Sequence, residues 1–163
     1  MTLHSLFIEI HAASGIVAFV CGWACIHNLG TKPSLQLVWT FVIGLIGLDL
    51  FMIAAIINDI PALSKGQLYT FLGLTALGLY MLFRGFQAYS VYKKQKDNWR
   101  LPFIDHVGFG LISPFDGFVI VAAIDLKLPV WLVVIIGVLG VFVGVSMIKK
   151  VKSKNYVLKR NTT

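Results

Sequence analysis

SLFIEIHAASGIVAFVCGWACIH, Ser5–His27, carries one acid and no Lys or Arg. That suits it to cross a bilayer, since a helix spanning the ~30 Å hydrocarbon layer needs about 20 apolar residues. Within it, HAASGIVAFVCG runs from His11 to Gly22. HVGFGLISPFDG, His106–Gly117, repeats its frame of a histidine, a glycine four residues on and another glycine seven further. Two histidines in the same register of two apolar segments are either a paired ligand site or a by-product of glycine-rich packing helices.

Working outward, four more apolar segments follow: Leu35–Ile57, Gln67–Tyr92, Phe103–Asp125 and Val130–Ile148. Hydrophobic residues make up 58% of the 163-residue chain and charged residues only 13%, whereas a soluble domain is closer to a quarter charged. An isolated segment in lipid satisfies its backbone only by forming a helix, and these runs are too long and too few for a closed barrel. The expectation is an all-α integral membrane bundle of five transmembrane helices. It occupies 1–148, and a basic tail, 149–163, follows. Pro33, Pro61, Pro102 and Pro129 stand at or beside span ends, where a missing N–H costs least.

The basic residues set the orientation. Five spans place the first connector, the third connector and the tail on one side. Those carry eleven Lys and Arg, against Lys65 and Lys127 on the other face, with Arg84 inside a span. The positive-inside rule then puts the N-terminus outside and the C-terminus in the cytoplasm. It also argues for the weakest span, Phe103–Asp125, because without it the basic tail would face outward. No basic region precedes the first span, so no cleavable signal peptide is expected. The net charge of +7 is read as juxtamembrane lysines that orient the chain and touch anionic lipid, not as a nucleic-acid surface.

On the first span His4, His11, Gly15, Ala18, Gly22 and Cys25 form a single helical stripe. Small stripes let membrane helices approach closely, so His11 is expected to face protein. On the fourth, His106, Gly110, Ser113 and Gly117 form a similar stripe, with Asp116 beside it and Pro114 expected to bend the helix. Cys21 and Cys25, one turn apart on one helix, would form only a strained disulfide and read as small contact residues; a thiol or soft-metal role is the rival.

At 1.5 Å per residue, His11 lies about 9 Å below the outer end of its span and His106 about 5 Å above the inner end of its own. Some 20 Å therefore separates them across a ~30 Å core, which excludes one metal ion bound by both at about 2 Å. In the outer half, Glu9, His11, Asp49 and Asp116 reach similar depths, with Asp59 and Asp125 near the rim. Such groups could bind a divalent cation or relay protons. Against that, Glu9 and His11 are about 200° apart on their helix, and Asp49 points away from the Gly44–Gly47 face. In the inner half, His27, Asp105 and His106 share a layer with Arg84. An Arg84–Asp105 ion pair is expected, with snorkelling of Arg84 to lipid phosphate as the rival. His27 and His106 are the candidate axial ligands of a haem b, and His11, His27 and His106 the candidate cofactor ligands altogether. No nucleophile elbow, phosphate loop or zinc-protease helix occurs.

The segments IHAASGIVAFVCGWACI, FRGFQAY and NWRLPFIDHVGFGL resemble bacterial multi-pass membrane proteins of unknown function that open with an H-x3-G helix and carry a later Arg-bearing segment. Here Arg84 precedes Gly85, which departs from their pattern, and KPSLQLVW lacks the histidine such proteins often place after the first connector. The resemblance implies a helical protein of the bacterial cytoplasmic membrane. The expectation is a non-enzymatic binding, transport or assembly component, perhaps one acting with a membrane-protein partner, because the loops leave no room for a soluble catalytic domain. The alternatives are a haem-b or metal-binding redox protein and a proton-coupled carrier.

Overall fold

In a computed structural model, which describes residues 3–63, 65–96 and 98–160, five helices follow one another. They are α1 (Leu3–His27), α2 (Leu35–Asp59), α3 (Lys65–Lys94), α4 (Arg100–Asp125) and α5 (Val130–Arg160). There is no strand among the described residues. The five apolar segments and the five helices coincide closely, except that α5 runs beyond Ile148 through Arg160. Four stretches are long and apolar enough to cross a membrane: α1, α2, Phe71–Lys94 of α3 and Trp131–Ser153 of α5. Large apolar side chains such as Trp23, Ile43, Tyr69, Phe83 and Phe142 lie on the exterior of the bundle, an inversion that lipid tolerates and water does not. The chain is a helical bundle of membrane type.

The connectors are built from local caps. Ser34, extended at φ −69° and ψ 150°, accepts a hydrogen bond on its side chain from Leu37 N and starts α2. Just before it, Pro33 O accepts from the buried Tyr92 hydroxyl at 2.6 Å. Lys32 reaches Gln95 Oε1 at 3.1 Å, so the first and third connectors meet at one end of the bundle. Tyr92, Trp99 and Phe103 pack their rings together at that end, with centroids 5.5–5.9 Å apart. Asp105 and Lys152, 2.6 Å apart, bring the far part of α5 to the same end. At the opposite end His4 on α1 pairs with Asp59 on α2 at 2.9 Å. The segments rich in Lys and Arg therefore gather on one side, as alternating spans require.

Inside, α2 is the axis. Phe41, fully buried, lies between glycines of two other helices: a Cβ on Gly22 of α1 would stand 2.9 Å from its ring, and one on Gly110 of α4 2.7 Å. Leu45, one turn on, fills the space over Gly85 of α3, where a Cβ would come within 2.7 Å. Backbones touch at Gly44, whose absent Cβ would meet Ala18 N of α1 at 2.8 Å. Every glycine of the repeated frame except Gly117 is occupied in this way. Gly117 has nothing within 4 Å, so the likeness of the two segments does not extend to their packing. α4 remains helical through Pro114, whose missing N–H leaves the Gly110 carbonyl without its usual i+4 donor.

Because an added side chain at Gly44 has backbone to move and not a flexible tip, Gly44→Leu is expected to abolish a monodisperse fold in detergent. Phe41→Ala is expected to cost about 3–5 kcal/mol by opening a core cavity. Gly73→Ala, at a position with open space around it, should leave the thermal unfolding midpoint unchanged; unfolding scans of the three variants check this.

Candidate functional site

The expected outer cluster is dispersed around the bundle. Glu9 is exposed. His11 donates from Nδ1 to the Leu48 carbonyl of α2 at 2.7 Å, so its imidazole is tied into the α1–α2 seam and faces protein. Asp59 is taken by His4, and the side chain of Asp125 lies outside the described residues. Among the described residues no group of three or more His, Cys, Asp and Glu is placed to hold a metal ion. Cys21 and Cys25 are free thiols, and Cys25 is buried in the α1 seam.

Two acids of that group stand out by their surroundings. Asp49 is only 2% exposed, yet neither carboxyl oxygen has a hydrogen-bond partner. It projects from α2 toward α3, where its Oδ1 occupies the space a side chain at Gly78 would take. This is the face opposite to α1, as its position relative to Gly44 and Gly47 requires. Asp116 repeats the arrangement one helix pair later. Its Oδ1 is enclosed against Gly140 of α5 and likewise lacks a partner. A buried carboxylate without a counter-charge or donor is costly in any apolar medium, and in a bilayer such residues mark ion or proton pathways. Each acid also depends on a glycine that no other residue type could replace without displacing the carboxyl.

The inner layer is assembled differently from the expected ion pair. Arg84 Nη2 donates to the main-chain carbonyl of Asp105 at 3.1 Å, and the guanidinium sits over the Phe109 ring at 5.6 Å. The Asp105 carboxylate instead meets Lys152. The partner of Asp105 is a residue of α5, because that helix continues past its apolar run and lays its basic end beside α4. Arg84 Nε and His106 Nδ1 are enclosed without partners among the described residues. His27 is exposed and stacks on Trp23 with ring centroids 5.2 Å apart. The three histidines thus have three separate settings: a carbonyl of α2, the ring of Trp23, and the Arg84–Asp105 layer.

No protein-family model, curated protein or solved structure matches the chain. The reading of the site therefore stands on the geometry alone.

His11→Ala should weaken the bundle by about 1 kcal/mol, the scale of interhelical polar contacts in membranes, as read from unfolding in detergent. Lys152→Met should change stability by no more than about 1 kcal/mol, because its ion pair is partly solvated.

Proposed function

We propose that the chain is a five-span component of a bacterial cytoplasmic membrane that binds or transports its ligand by exchanging a proton or small cation at membrane-buried carboxyls, with Asp49 as the principal group and Asp116 as the second. The N-terminus faces outward and the basic end lies in the cytoplasm, against anionic lipid. α4 completes the crossing between the basic third connector and α5. A non-enzymatic role follows from the placement of the polar groups, which lie singly along helix seams, apart from any nucleophile–base pair.

The observation that carries this reading is the Asp49 carboxyl, 2% exposed with both oxygens unpartnered. A structural acid would be tied to a donor or a cation, as Asp105 and Asp59 are. Asp49 contributes no such tie, and deleting its charge removes a burden on the fold. Its depth also suits exchange across the membrane. It lies at residue 49 of a helix running Leu35–Asp59, about 15 Å from the nearer end by helical rise.

Infrared titration of the purified full-length protein tests the proposal. It should show a carboxylic C=O band that disappears and returns reversibly with pH, and Asp49→Asn should remove that band. The same variant should unfold at the same temperature as the parent or higher, since a neutral isostere relieves an unpaired buried acid. A destabilisation beyond about 2 kcal/mol would make Asp49 a structural tie, and a spectrum unchanged by the substitution would remove it as the exchanging group.

A further inference from the structure

Between α4 and α5 a cleft of about 460 Å³ is lined by Asp116, Val133, Val134, Gly137, Val138 and Val141. Its walls are apolar and open laterally, toward the surface that lipid covers, and one carboxyl is the sole charged group lining it. We infer that this cleft is a binding site for a lipophilic organic cation, an amine or onium ion with an apolar body, held by Asp116. The inference rests on the proposed function, for which it supplies the class of ligand.

Acyl chains satisfy the valine walls, but they bring neither a donor nor a positive charge to Asp116. The described ion pairs, His4–Asp59 and Asp105–Lys152, leave Asp116 out, and its Oδ1 has no hydrogen-bond partner. Depth excludes the commonest membrane cation, a lipid amine headgroup. Asp116 is nine residues from the end of α4 at Asp125, about 14 Å by helical rise, close to the middle of a ~30 Å layer. Gly140, on which its Oδ1 rests, is ten residues into α5, or about 15 Å. An occupant at that level must carry its charge into the hydrocarbon on an apolar frame. The cleft is also of the size that small ligands occupy, where apolar walls supply contact and one polar group fixes orientation. Gly137 and Gly140 leave α5 without side chains where the cation would approach the acid.

The test is equilibrium binding of tetraphenylphosphonium to the full-length protein in detergent or nanodiscs, beside an uncharged tetraphenyl analogue of the same shape. The parent should bind the cation and bind the neutral compound at least about tenfold more weakly, a difference of 1.4 kcal/mol. Asp116→Asn, which keeps the side-chain shape, should weaken cation binding about tenfold or more. Val138→Trp, on the exposed wall of the cleft, should do the same by filling it, and Asp116→Glu should recover part of the affinity. Asp49→Asn should bind within about threefold of the parent, being remote from the cleft. Equal affinity for cation and neutral analogue, or cation binding unchanged in Asp116→Asn, would overturn the inference and leave a crease filled by acyl chains. These outcomes are separate from the titration of Asp49. Binding that depends on Asp116 without an Asp49 band overturns the exchange reading alone, and an Asp49 band without such binding overturns the cleft alone.

Discussion

The insertion of Phe41 between Gly22 and Gly110 is the contact on which the bundle depends. In lipid no hydrophobic driving force brings helices together, because an apolar side chain gains nothing by leaving hydrocarbon for protein. Association then rests on close packing, and close packing rests on shape. One aromatic ring on α2, seated over glycines of α1 and α4, fixes three helices at once. Leu45 over Gly85 adds α3. The other side of α2 meets α1 backbone to backbone at Gly44 and Ala18. α5 docks only on α4, through Ile148 over Gly108 and Ile112 under Gly144, and leaves most of its surface to lipid.

This construction also determines where polar groups can sit. Because α2 turns its glycine face to α1, Asp49 is directed at α3, into the notch of Gly78. The α4–α5 pair reproduces the combination with Asp116 and Gly140. Glycine thus serves two purposes in one chain. At Gly22, Gly44, Gly85 and Gly110 it admits apolar side chains or backbone and stabilises the bundle. At Gly78 and Gly140 it admits a carboxyl, whose burial costs stability unless a proton or a cation accompanies it.

Much of this architecture was legible in the residues. Hydropathy located all five helices to within a few positions, because bilayer thickness sets a length that the chain must meet with uninterrupted apolar residues. The small-residue stripe of α1 correctly placed His11 on protein, since helical periodicity assigns a face. What hydropathy and periodicity do not assign is which helix receives that face. Depth alone suggested that Glu9, His11, Asp49 and Asp116 share a layer, but a layer is a disc, and around it they are distributed over separate seams. The glycine notches opposite the acids required knowing that α2 adjoins α3 and α4 adjoins α5 at those heights. Arg84 and Asp105 do meet, yet through a main-chain carbonyl, because the carboxylate is claimed by Lys152. That contact depended on α5 remaining helical beyond Ile148, where composition alone signals only a basic tail.

The account requires α4 to cross the bilayer, for only then do Asp49 and Asp116 lie at its interior and the three basic segments on one side. Single cysteines at Gln95 and at Leu126, both exposed and flanking α4, in a chain with Cys21 and Cys25 replaced, test this directly in intact cells and inverted vesicles. Labelling by a membrane-impermeant thiol reagent should reach Leu126→Cys from outside and Gln95→Cys only from the cytoplasmic face. Reaction of both positions from the same side would contradict the five-span bundle and, with it, the membrane-interior placement of Asp116.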